Sequence, residues 1–233
     1  MKRGVIVIGA NDMNGWDQTE LHKFGYIADY DNGIFVEAIP SVYDKLKINL
    51  TSVNSEYNKN FIAINELITN CNTECNFNLI DHQIDGINKT YSPSSIYKPH
   101  IIAQKFSSTY LGVINTIKLP TIRFSTMIDK YDINMNLYDS LILDVQGAEL
   151  EVLKSMDHYL DQIDTICTEY SNTEYYKGGV LFKELNKFLV SKSFELSKRL
   201  RKEHGNAYYK RRKLATLLSV DADHIPMMPI PLA

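Results

Sequence analysis

The chain has 233 residues, 44% of them hydrophobic, 23% charged and 11% aromatic, with a formal net charge of −3. That length and apolar content fit one ample globular domain and exclude a disordered chain, and the slight negative charge excludes nucleic-acid binding by global electrostatics. No apolar run approaches the roughly 20 residues that a bilayer-spanning helix needs. Three cysteines are too few and too odd in number for a disulfide framework, so the expectation is a soluble protein of a reducing, cytoplasmic compartment.

Residues 5–8 form a short β-branched run that ends at Gly9, the pattern of a fully buried strand. Residues 16–24 have the spacing of a helix stopped near Gly25. Residues 33–37 read as a second buried strand that leaves an Asp31-Asn32-Gly33 turn and ends on an acid. Pro40 and Ser41 then open a helix with Val42, Leu46 and Leu50 on one face, and residues 61–64 make a third strand. Strands alternating with helices in this way predict a parallel sheet covered on both faces.

Residues 69–120 are less regular and rich in Asn, Ser and Tyr. Within them 77–81 alternates like a strand, whereas 85–100, with Gly86, Pro93 and Pro99, reads as a loop of the kind that forms a lid or substrate wall. Residues 138–145 are the most strand-like stretch, followed by Gly147 and a helix through Met156. Another buried strand spans 163–169 and another helix 180–190. Residues 194–200 and 207–213 read as an antiparallel pair turned at His204-Gly205-Asn206, and the Pro-rich tail 216–233 is expected to be poorly ordered.

In an open α/β sheet, ligands bind beyond the carboxyl ends of the strands, where the strand order reverses. The residues in that place are Gly9, Ala10, Asn11 and Asp12, then Glu37, then Asn65 and Glu66, then Asp144, then Glu169. Carboxylates at so many strand ends are more than a structural sheet requires. Gly9 marks a turn where backbone can approach a ligand, but Asn11 stands where a G-x-G-x-x-G fingerprint needs its second glycine, which argues against a bound pyrophosphate. Glu37 lies where an acid accepts both ribose hydroxyls of a nucleoside. Together these suit an adenosyl group without phosphate, such as S-adenosylmethionine; the bland alternative is a plain turn and a surface acid.

The block LILDVQGAELEVL at 141–153 resembles the D-V-x-G-A-E-x-x-V-L signature of FkbM-type methyltransferases. Ile8-Gly9-Ala10-Asn11 is similar to the family's V-G-A-N, Glu37-Ala38-Ile39-Pro40 to its E-A/P-x-P, and Ala63-Ile64-Asn65 falls at its third strand end. The likeness continues through 163–170 and Tyr176-Lys177-Gly178 to Gly205-Asn206-Ala207-Tyr208, which resembles the terminal G-N-x-x-Y. Two positions depart from the pattern. Val7 replaces an acid that often precedes V-G-A-N, and Met13 replaces the glycine two residues after Asn11. Both touch the methionine end of a bound cofactor.

The resemblance implies an α/β, Rossmann-like class I methyltransferase fold over residues 1–215, with a mostly parallel seven-stranded sheet and a closing antiparallel hairpin. It implies S-adenosyl-L-methionine as methyl donor and O-methylation of a hydroxyl on a sugar, a glycan or another small natural product. The implied cofactor contacts are Gly9, Ala10, Asn11, Glu37, Ala38, Asn65 and Asp144. Asp144 is the implied base, with Glu169 as its catalytic neighbour. Asp144, Glu169 and Asn172 form an oxygen-ligand set suited to Mg2+, although the two carboxylates could instead bond backbone and sugar. Glu149, inside the following helix, reads as a cap or a packing group.

Two other functions stay open: a non-catalytic glycan- or partner-binding module on the same fold, and an RNA 2′-O-methyltransferase. The second is motivated by Lys198, Arg199, Arg201, Lys202, Lys210, Arg211, Arg212 and Lys213, which read better as charge protecting an edge hairpin. Nucleic acid is therefore the less expected partner, and a carbohydrate or other hydroxylated acceptor the more expected. Cys71 and Cys75 lack the companions of a zinc site, and Trp16, Tyr91, Tyr97 and Tyr110 suit either sugar stacking or lid packing. A cofactor strand beginning at Gly4 suggests a domain cut from a longer polypeptide, with a glycosyltransferase domain as a candidate neighbour.

Overall fold

The computed structural model describes residues 4–13, 29–84, 87–90, 93–100, 111–199 and 203–212, with backbone alone at 81–84, 87–90 and 111. The expected helix at 16–24, the tail 216–233, Trp16, Tyr91, Tyr110, Arg201, Lys202 and Lys213 lie outside the described residues.

Strand β1 (Gly4–Ile8) is buried at every position, as is nearly all of β2 (Asn32–Glu37). The absence of alternation is explained by two cores. Val5 and Val7 pack on one face with Phe35, Ile142 and Cys167, while Ile6 and Ile8 pack on the other with Ile34, Val36, Leu141 and Leu143. Helix α1 (Pro40–Tyr57) starts on a proline, whose missing N–H is harmless there, and ends at Asn58 in the left-handed conformation. Its Leu46 and Leu50 cover the first face. Strand β3 (Asn60–Asn65) pairs parallel with β2.

The region after β3 is more regular than its composition predicts. Strands β4 (Leu67–Ile68), β5 (Thr73–Ile84), β6 (Ile87–Thr90) and β7 (Leu111–Ile122) form a separate four-stranded sheet in the order β4-β7-β5-β6. Part of the expected loop at 85–100 is thus strand β6. Strand β7 escapes a sequence reading because Gly112 and Pro120 interrupt it and its face is open, with Val113 and Ile114 exposed. Phe77, Leu79, Ile117 and Leu119 join Ile39 and Val42 in a third core, which fixes this sheet over the start of α1.

Helix α2 (Phe124–Lys130), which the periodicity does not announce, buries Phe124, Met127 and Ile128 on the second face of the main sheet. Then come β8 (Ser140–Leu143), α3 (Glu149–Ser155), β9 (Thr165–Ser171), α4 (Phe182–Ser191), β10 (Phe194–Arg199) and β11 (His204–Arg211). The main sheet runs β10-β11-β9-β8-β1-β2-β3, parallel from β9 to β3 and antiparallel at β11 and β10. The expected turn at His204-Gly205-Asn206 is overturned. Those residues lie in β11 opposite Ser171, Tyr170 and Glu169, because pairing to β9 overrides their local turn preference.

Candidate active site

β1 is flanked by β2 on one side and β8 on the other, so strand order reverses at β1 and a crevice opens beyond its carboxyl end. The crevice spans about 640 Å³, open solvent at its mouth included, and is lined by Gly9, Asn11, Glu37 and Ala38 below, and by Asp144 and Gln146 on the β8 side. Leu67, Ile68 and Phe77 from the second sheet, with Ile96 from the segment 93–100, supply an apolar wall.

Gly9 is required for a reason other than ligand approach. Its φ is +81°, and a Cβ on it would lie 1.9 Å from the Asp144 carbonyl oxygen, so the glycine lets the ends of β1 and β8 close on each other. Its amide and that of Ala10 both donate to the Val36 carbonyl at 3.0 Å. Asn11 has φ 53° and Met13 φ 51°, so the chain keeps at Met13 the left-handed backbone that the family's glycine would adopt freely. Asn49 Nδ2 donates to the Asp12 carbonyl at 2.6 Å and holds this loop to α1.

Glu37 is buried at the floor of the crevice. Its Oε2 accepts the Asn11 amide at 3.0 Å and its Oε1 the Ile39 amide at 2.9 Å. Burial pushes its carboxyl up to about 7, against the lowering effect of these amides. Each carboxylate oxygen has a further lone pair for a ribose hydroxyl. These features fit an adenosyl cofactor. Ala10 packs into the core instead of the crevice, and Asn65 acts at one remove, donating from Nδ2 to the carbonyls of Glu37 (2.8 Å) and Ala38 (3.1 Å). Glu66, also in the crevice wall, is held through Oε1 by Lys130 Nζ at 2.6 Å and the Tyr131 hydroxyl at 2.8 Å.

At the β8 end, Gln146 ties two carboxylates together. Its Nε2 donates to Asp144 Oδ1 at 2.6 Å and to Glu169 Oε2 at 3.0 Å, and its Oε1 accepts from the Tyr176 hydroxyl at 2.6 Å. Gln146 itself has φ 54°, and its carbonyl accepts from the Ser95 hydroxyl at 2.8 Å. Burial and the neighbouring Glu169 charge raise the Asp144 carboxyl well above the carboxylate range, and burial lifts Glu169 to about 8. The pair therefore retains a proton at neutral pH. Glu149 is buried behind it and accepts the amides of Val145 (3.3 Å) and Gly147 (3.2 Å), which makes it a brace of the β8–α3 turn.

The expected Mg2+ set of Asp144, Glu169 and Asn172 does not fit a divalent cation. The amide hydrogens of Gln146 are aimed at both carboxylates, where a cation would need lone pairs, and Tyr176 fixes the opposite end of that amide. Among the described residues, no group of three His, Cys, Asp or Glu side chains is placed to hold a metal. The basic hairpin also thins out. The Arg199 guanidinium stacks on Phe182 and Tyr170, and Arg211 stacks on Phe194 while donating to the carbonyls of Ile163, Lys192 and Leu160. Gln146, Tyr176 and His204 were beyond the sequence reading, since their meaning lies in partners far along the chain.

A seven-stranded sheet of this order, with a buried acid at the end of β2 and a crevice at the switch point, is a Rossmann-like methyltransferase fold. The model of the methyltransferase FkbM domain matches residues 8–205, and the chain belongs to that family. Among solved structures it is similar to methyltransferase FkbM from Methylobacillus flagellatus KT, at 9% identity and TM-score 0.49, over 90% of this chain and 43% of that one. It is also similar to a Streptococcus pneumoniae protein described as a tRNA (m1A22) methyltransferase, solved with S-adenosyl-L-methionine (9% identity, TM-score 0.43, 90% of this chain and 67% of that one). A third is a protein of the NADB-Rossmann superfamily from Streptococcus agalactiae (13% identity, TM-score 0.43, 89% of this chain and 61% of that one). The chain thus spans less than half the length of the Methylobacillus protein. No curated protein matches the chain. Among the described residues, no helix is long and apolar enough to cross a membrane.

Proposed function

We propose that the chain is an O-methyltransferase that transfers a methyl group from S-adenosylmethionine to a hydroxyl of a sugar, a glycan or another small natural product. The observation that carries this reading is the Asp144 carboxyl in the switch-point crevice, bridged by the Gln146 amide to Glu169, where burial and the Glu169 charge raise its affinity for a proton. A hydroxyl needs its proton removed as it attacks, and a carboxylate whose affinity for protons is raised is matched to that task. A ring nitrogen with a free lone pair would have no use for such a base. The RNA 2′-O-methyltransferase alternative is disfavoured because Arg199 and Arg211, two of the basic residues that motivate it, are engaged inside the fold.

The cofactor supplies a methyl carbon activated by its positive sulfur. Glu37 binds and orients the ribose, the Leu67, Ile68, Phe77 and Ile96 wall excludes water from the adenine, and Asp144 takes the acceptor proton. Gln146 and Tyr176 hold Asp144 in place. The domain comprises residues 1–215, and its expected partner is a carbohydrate, free or delivered by a neighbouring glycosyltransferase domain.

The test is methyl transfer from labelled cofactor to a panel of mono- and oligosaccharides. Asp144→Asn is expected to lose transfer by about 10²–10⁴-fold while keeping stabilisation by S-adenosylhomocysteine. If S-adenosylhomocysteine at millimolar concentration leaves the melting temperature unmoved, the proposal fails.

A further inference from the structure

The proton that Asp144 takes must leave a recessed pair of carboxylates, and β11 places a basic group where it can go. Resting on the O-methyltransferase reading, we infer that His204 is the proton outlet of the Asp144–Glu169 pair, acting through Glu169 without touching the reacting atoms. β11 pairs antiparallel with β9 so that His204 stands opposite Ser171 and diagonal to Glu169, with all three side chains on one face of the sheet. The imidazole bridges the two. Nε2 is 3.0 Å from Glu169 Oε1 and Nδ1 is 2.7 Å from Ser171 Oγ. The other Glu169 oxygen meets Gln146 Nε2, which meets Asp144. Exposure rises along the path, from 17% for the Glu169 side chain to 37% for that of His204. The groups facing the imidazole are Glu169 and Ser171 on β9, Glu174 and Tyr175 on the following loop, and Asp144 and Glu149 from the β8–α3 side.

The proton balance closes without another reactant. For Asp144 to act as base, the proton held by the pair must lie on Glu169, and His204 must accept at Nε2 while Nδ1 stays on Ser171. The acceptor oxygen forms its bond to the methyl carbon as the carbon–sulfur electron pair leaves to sulfur, and the hydroxyl proton passes to Asp144. Glu169 gives its proton to His204 Nε2, creating an imidazolium beside a carboxylate. The imidazolium releases a proton to water, and the Asp144 proton then moves to Glu169. One proton reaches solvent per methyl transferred, and the pair is reset.

The experiment compares His204→Ala, His204→Gln and the unaltered chain. The glutamine can hydrogen-bond to Glu169 but cannot carry a proton. Both variants are expected to bind S-adenosylhomocysteine with unchanged affinity and to turn over at least about tenfold more slowly at neutral pH. Added imidazole is expected to restore His204→Ala and not His204→Gln. Full turnover in His204→Gln overturns the outlet, as does His204→Ala that imidazole cannot rescue. A second measurement needs no acceptor: the His204 ring is titrated by NMR in the unaltered chain and in Glu169→Gln. The glutamine is expected to move the titration by at least about half a pH unit, and an unmoved titration overturns the outlet. If the chain methylates nothing, the O-methyltransferase reading fails on that result, and the NMR titration still decides the coupling.

Discussion

Gly9 and Asp144 meet so closely that any side chain on the first would strike the main chain of the second. A Cβ built on Gly9 would sit 1.9 Å from the Asp144 carbonyl oxygen, at a backbone φ of +81° that disfavours other residues. The glycine is therefore what allows the floor of the crevice and its candidate base to be neighbours. Gly9→Ala is expected to cost at least about 3 kcal/mol in urea unfolding, because the clash adds to the conformational penalty. An unchanged unfolding midpoint would show that the two strand ends do not pack as described.

Glu37, Glu149 and Glu169 all hold their protons more tightly than the ordinary glutamate value of 4.5, at about 7, 7 and 8. The folded chain then binds more protons than the unfolded chain between about pH 4.5 and 8, so their contribution to stability is full below that window and is lost as pH rises through it. The melting temperature of the cofactor-free chain is expected to be at least ~4 °C higher at pH 5.5 than at pH 8.5. Glu149→Gln keeps an acceptor for the Val145 and Gly147 amides and is expected to flatten the slope. A melting temperature that rises with pH would contradict these burial effects.

Cofactor binding has the opposite slope. In the proposed site, ribose hydroxyls would donate to the charged form of Glu37, whose carboxyl burial pushes up to about 7. A proton must be released on binding below that pH and none well above it. S-adenosylhomocysteine is thus expected to bind roughly tenfold more weakly at pH 6 than at pH 8. Calorimetry in buffers of different ionisation enthalpy would detect the released proton. Glu37→Gln is expected to abolish the pH dependence, and a dependence that persists in that variant would remove Glu37 from the ribose site.

The Tyr176 hydroxyl lies 2.6 Å from Gln146 Oε1 and 2.9 Å from the Pro93 carbonyl, joining the strap at 93–100 to the carboxylate bridge. Tyr176→Phe removes one buried hydroxyl and is expected to cost about 1–2 kcal/mol of stability. Turnover is expected to fall several-fold with little change in cofactor affinity, because Gln146 would no longer be held against Asp144. An equal fall in cofactor affinity would place Tyr176 in the cofactor site instead.

Much of this was legible in the chain itself. The β-branched runs ending at Gly9 and Glu37 announced strands buried on both faces, and the Val42, Leu46 and Leu50 spacing announced α1. The acids at the carboxyl ends of β2, β8 and β9 marked where chemistry could sit. These signals are local: the side-chain periods of strand and helix, and the terminal residue of each strand, depend on neighbours in sequence.

The rest depended on partners tens of residues away. Strand β7 was hidden because its open face and Pro120 deny it an apolar run, and only its pairing with β5 makes it a strand. His204 read as a turn residue until β9 drew it into the sheet beside Glu169. Gln146 was an unremarked position in a motif, yet its amide meets Asp144 two residues before it, Glu169 and Tyr176. By itself, then, the sequence determined the family, the alternation of strands and helices, and the acids at the strand ends. Tertiary structure alone decided that two of those acids are bridged by one amide, that Mg2+ does not suit them and that an imidazole meets Glu169. Proton affinity and ligand choice are set by distances and burial across the sheet, and no spacing along the chain encodes either.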